Sequence, residues 1–134
     1  MEGLKLAGLE APEVNQFELH VFNQQKETVE YCQANGIVVM SFCPLARCKL
    51  FGQTPLAAIA EAAGVSEAAC CIRWLLQRGY VTIPKSTGEA RIRDNAAFGF
   101  ALSDEQMRQM DGLDQGFKAS NACKAMDLPW EDVK

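Results

Sequence analysis

Gly36-Ile37-Val38-Val39-Met40-Ser41-Phe42-Cys43-Pro44-Leu45-Ala46 decides how this chain folds. The run is apolar and rich in β-branched residues, which pack well on a pleated surface and poorly inside a helix. It is too short for the roughly 20 apolar residues a membrane helix needs. It therefore reads as a strand, with the pattern of one buried on both faces in a parallel sheet. Asn35-Gly36 stands before it and closes a helix over Lys26 to Ala34, because glycine takes the left-handed conformation that ends a helix. Upstream, Val14 to Leu19 alternates behind Pro12 and suits a second strand.

Downstream the alternation continues. Thr54-Pro55 starts a helix that stops at Gly64. Ser66 caps a helix over Glu67 to Arg78, ended by Gly79, and Tyr80-Val81-Thr82-Ile83 is a third strand. Ser86-x-x-Glu89 and Ser103-x-x-Gln106 each fit a capping box. Met1 to Leu9 resembles the end of a helix. Strand, helix, strand, helices, strand, helices is the order of parallel βαβ units with right-handed crossovers.

Composition narrows the function classes. The 134 residues are 49% hydrophobic and 22% charged, an ordinary globular balance. Thirteen basic against seventeen acidic residues leave a net charge of −4, which argues against a nucleic-acid partner. No stretch is long enough to cross a membrane, and the start lacks the basic-then-apolar order of a secretory signal. The six cysteines form no Cys-x-x-Cys pair and accompany a single histidine, so a zinc site is not expected. Reduced thiols in a cytoplasmic protein are the expected context.

Ligands of parallel α/β folds bind at the carboxyl ends of the strands. The third strand runs into Pro84-Lys85-Ser86-Thr87-Gly88, with Arg91 and Arg93 close behind. A lysine, two hydroxyls and arginines at a helix start suit a phosphate. A capped helix with solvated basic residues fits the same spacing. Arg47 and Lys49 read as a solvated loop. His20, beside a strand end, reads as structural.

Several motifs in order resemble the second half of an aldo-keto reductase. They are Asn15-Gln16-Phe17-Glu18-Leu19-His20, Ser41-Phe42-Cys43-Pro44-Leu45-Ala46, Ile72-Arg73-Trp74-Leu75-Leu76-Gln77-Arg78-Gly79 and Ile83-Pro84-Lys85-Ser86. Arg91-Ile92, Asp94-Asn95 and Phe100-Ala101-Leu102-Ser103 continue the likeness. The resemblance implies a partial (β/α)₈ TIM barrel, of which this chain holds the last three parallel strands. A whole barrel takes about 250 residues. Residues 1–134 would be the C-terminal portion of such a barrel, with a tail over 115–134.

The resemblance also implies NADPH as cofactor and hydride transfer to aldehydes or ketones. It assigns Gln16 to the nicotinamide carboxamide and Phe42 to the ring, where the family usually has tyrosine. Cys43 stands for the usual serine and Ala46 for the usual glycine. Leu45 would lie along the pyrophosphate, which Arg47 and Lys49 would approach from the following loop were that loop not read as solvated. Lys85, Ser86 and Arg91 would take the 2′-phosphate, with Asp94 and Asn95 near the adenine. Trp130 in the tail is a substrate-pocket candidate. The family's catalytic tyrosine, lysine, aspartate and histidine belong to the first half of the barrel and have no counterpart here. The expectation is a chain inactive by itself with a partial NADPH site. The alternative is a non-catalytic nucleotide-binding or assembly module that self-associates or is complemented by an N-terminal half barrel.

Overall fold

The computed structural model describes residues 2–53 and 55–120, with only the backbone of Glu2 and Lys5. Thr54 and Trp130 lie outside the described residues. Helix α1 (Glu2–Leu6) leads to β1 (Val14–Glu18), α2 (Lys26–Ala34) and β2 (Val38–Phe42). A short 3₁₀ turn (Ala46–Cys48) follows, then α3 (Leu56–Ala63), α4 (Glu67–Gln77), β3 (Val81–Thr82), α5 (Glu89–Asn95) and α6 (Asp104–Asp111). The strands lie in the order β1-β2-β3, all parallel. This is the parallel strand–helix alternation expected above.

Most element ends follow local chemistry. Helix α2 ends where Asn35 Nδ2 donates to the Tyr31 carbonyl at 2.7 Å and Gly36 takes φ +68°. The Ser66 hydroxyl caps α4 by accepting from the Ala69 N–H at 3.0 Å. Ser103 and Gln106 form a full capping box on α6. The box expected at Ser86 does not form. The N-cap of α5 is Gly88, two residues later, so the Ser86 side chain is left for other partners.

The pleat sorts the sheet into two unlike faces. Val39 and Ser41 point toward α4 and the other helices and are buried, with Leu19, Cys71, Trp74 and Leu75 in the same core. Trp74 is 2% exposed, donates Nε1–H to Asp111 at 2.9 Å and packs edge-on against Tyr80. The other face presents Val14, Val38, Val81 and Ile83, each between 40% and 46% exposed. Register joins it into one surface: Val14 pairs with Val38, Gln16 with Met40, and Met40 with Val81. The expectation that β2 is buried on both faces is thus corrected. Helices cover one side, and among the described residues no helix covers the other. No helix among the described residues is long and apolar enough to cross a membrane.

Candidate functional site: a cationic cleft at the strand ends

The chain leaves β2 through a strained turn. Cys43, Ala46, Arg47 and Cys48 all have φ between +48° and +55°. That conformation costs a non-glycine residue about 1 kcal/mol or more. Hydrogen bonds hold it: Ala46 N–H to Cys43 O at 3.0 Å, Cys48 N–H to Leu45 O at 2.7 Å, and Lys49 N–H to Ala46 O at 3.2 Å. Ala46 is fully buried in this left-handed position, where glycine would fit without penalty.

The turn forms one wall of a cleft of about 450 Å³ lined by Cys43, Pro44, Leu45, Arg47, Cys48, Pro84 and Lys85. The ends of β2 and β3 therefore meet across one space, with two cations in its lining. Burial, joined by the charge of Glu18, raises the Cys43 thiol pKa above its usual value, while Arg47 pulls it down. Burial, joined by Glu67, raises Cys48, and Arg91 opposes. Both thiols stay protonated near neutral pH.

Beside the cleft, the Ser86 hydroxyl accepts from Arg91 Nε at 3.3 Å and from the Gly88 N–H at 3.4 Å. The Arg91 guanidinium folds over Gly88 so closely that a Cβ there would sit 3.0 Å from its carbon. Glycine at 88 is what lets this arginine lie against the turn. Arg93 instead pairs with Glu89 at 2.7 Å, one helical turn away and exposed.

The structure thus gathers Cys43, Leu45 and Lys85 on one cleft, with Ser86 and Arg91 next to it. Gln16 and Phe42 lie on the bare face of the sheet, where Gln16 Nε2 approaches Met40 Sδ at 3.1 Å. Asp94 accepts from the Ser66 hydroxyl at 2.5 Å, which ties α5 to the cap of α4. Asn95 is half-buried at the last residue of α5. Arg47 is exposed, as a solvated loop residue would be, and it also lines the cleft.

Sequence reasoning missed Glu18. Its carboxylate is 1% exposed and receives the Ala119 N–H at 2.5 Å and the Ser120 N–H at 3.2 Å. His20 Nε2 donates to the same carboxylate at 3.1 Å. Burial lowers the His20 pKa, against the raising influence of Glu18 and Asp114, and its buried Nδ1 has no hydrogen-bond partner among the described residues. The signal was present, since Glu18 and His20 stand two apart in an alternating strand. Their partners, about a hundred residues away, were not legible.

Residues 1–115 match the model of the aldo/keto reductase family. Glyoxal reductase of Bacillus subtilis is 44% identical over 105 residues, covering 78% of this chain and 38% of that protein. The 9,11-endoperoxide prostaglandin H2 reductase of Trypanosoma cruzi is 40% identical over 108 residues, with the same two coverages. A Bombyx mori aldo-keto reductase solved in complex with NADP superposes with a TM-score of 0.80 at 29% identity, over 96% of this chain and 45% of that one. The chain spans about two-fifths of the length of the curated relatives it matches. Sequence, fold and superposition agree: the chain belongs to the aldo/keto reductase family.

Proposed function

We propose that this chain carries the phosphate-binding part of an NADPH site in an aldo-keto reductase whose chemistry needs residues outside this sequence. The observation that carries the reading is the cleft between the ends of β2 and β3, with Arg47 and Lys85 in its lining and the Ser86–Arg91 pair beside it. The donor set fits a phosphorylated nucleotide. Lysine and arginine bind phosphate oxygens by charge-assisted hydrogen bonds, and the serine hydroxyl orients the arginine. Lys85, Ser86 and Arg91 hold the 2′-phosphate, Leu45 flanks the pyrophosphate, and Asp94 and Asn95 lie toward the adenine. Phe42 and Gln16 take the nicotinamide end. Phenyl in place of phenol keeps an aromatic face for the ring. When bound, NADPH supplies the hydride. This chain binds and orients it.

The proton donor is not supplied here. Tyr31 lies within α2, and Tyr80 precedes β3 and packs on Trp74, at the amino end of the strand. The chain alone is therefore inactive in carbonyl reduction; oxidation of NADPH with an aldehyde by the pure chain would overturn this. Titration with NADPH and NADH tests the phosphate assignment. Lys85→Ala and Arg91→Ala weaken NADPH more than NADH, and an equal loss for both would remove it.

A second reading rests on the bare sheet face. Val14, Val38, Val81 and Ile83 form an apolar surface that a closed barrel would cover. The chain then acts as an assembly module, pairing with a second copy or with a separate first half of a barrel. A clean monomer by solution mass measurement, unchanged on adding such a half, would eliminate this reading.

A further inference from the structure

After α6 the chain does not simply end against the core. Residues 113–120 run back as a strap across the loop that follows β1. Gln115 and Phe117 donate their N–H groups to the Phe22 carbonyl at 3.2 and 2.9 Å. Asp114 accepts from the Gln24 N–H at 3.1 Å. At its far end the strap meets Glu18, the last residue of β1, which stands opposite Phe42 in the sheet register. Glu18 lies on the bare face of the sheet by alternation, yet it is buried because the strap covers it. Burying a carboxylate is costly unless its lone pairs are satisfied. Here two backbone N–H groups and the His20 ring do so.

Ala119 is held from both sides. Its N–H goes to Glu18, and its carbonyl accepts from Lys49 Nζ at 3.4 Å. Lys49 is the residue whose own N–H closes the strained turn by bonding Ala46 O. One strap residue therefore joins the end of β1 to the loop that walls the cleft. We propose that Glu18 is a positioning residue: its buried carboxylate latches Ala119 and Ser120, and through Ala119 and Lys49 it holds the Cys43–Lys49 turn in the shape that forms the cleft. Its bearing on NADPH rests on the reading above; the mechanical coupling does not.

Backbone hydrogen exchange in the full chain tests it, comparing the parent with Glu18→Gln, Lys49→Met and a control, Glu105→Gln, whose side chain bonds Arg108 and Gln109 along α6. The amide substitution keeps the size of Glu18 but turns donors toward donors. Glu18→Gln speeds exchange of the Ala119 and Ser120 amides by about tenfold or more, as loss of a charge-assisted hydrogen bond implies. The Ala46, Cys48 and Lys49 amides speed up with them, while the control changes neither set. Lys49→Met, on an exposed side chain, gives the same paired response at smaller amplitude. A loosened strap with an unchanged turn in Glu18→Gln overturns the coupling, and so does a Lys49→Met strap identical to the parent. If Glu18→Gln fails to fold, Lys49→Met alone decides. Adding NADPH separates the two claims. No binding to the parent refutes the cofactor reading and leaves the exchange result standing. Binding that protects the turn without the strap refutes the link between latch and nucleotide.

Discussion

The two faces of the three-stranded sheet carry similar residues and live in different surroundings. Val39 is 4% exposed and Val38 is 45% exposed, although they are neighbours on one strand. What separates them is only which side of the pleat the helices occupy. The helical face is a finished core built from this chain. The other face is an apolar surface that a whole barrel would place in its interior.

The largest expected effect belongs to the finished face. Trp74→Ala removes a buried indole, its bond to Asp111 and its edge contact with Tyr80, and costs about 3–5 kcal/mol in denaturant unfolding. Val38→Thr on the bare face changes stability by no more than about 0.5 kcal/mol if nothing covers it. A much larger cost for Val38→Thr would show that a partner seals that face in solution.

The cleft tests where the two faces meet. Lys85→Ala and Arg91→Ala each weaken NADPH by about tenfold, with little change for NADH, since each removes one charge-assisted contact. Nucleotide fluorescence titration reads this directly.

His20 sharpens the comparison through pH. The lowered folded-state pKa means the unfolded chain takes up the proton first, around the ordinary imidazole value of 6.5. Stability from this group is present above 6.5 and is lost as pH falls through that value toward the lower folded pKa. Unfolding measured from neutral pH downward should show this loss, and His20→Gln should flatten it. A stability rising on acidification would mean the Glu18 charge outweighs burial. Ser66→Ala costs about 1 kcal/mol for the lost cap on α4. It also frees Asp94, so α5 should exchange faster.

Local chemistry made much of the fold legible. Asn35-Gly36, Ser66 and the Ser103–Gln106 box set their helix ends because capping needs only residues three or four apart. The nearness of Ser86 to Arg91, five residues on, is local in the same way. The failure of Ser86 to cap was not legible, because the turn at Gly88 shifts the helix start and gives the hydroxyl to Arg91. Sequence left Arg47 between a solvated loop and an approach to the cofactor, since its direction depends on a left-handed backbone that local pattern does not show. Asp94 was read toward a nucleotide, and the fold ties it to the Ser66 hydroxyl.

The sequence by itself determined the strand–helix alternation, the parallel sheet, the family and the cationic cluster after β3. Each rests on short-range periodicity or on contiguous motifs. Only the tertiary structure decided which residues form the uncovered face of the sheet, Val14, Val38, Val81 and Ile83, and which ones line the cleft with Lys85. It alone showed that Glu18 is a buried latch, because its partners Ala119 and Ser120 lie 101 and 102 residues along the chain. Contacts of that span are set by packing, and no local pattern encodes them.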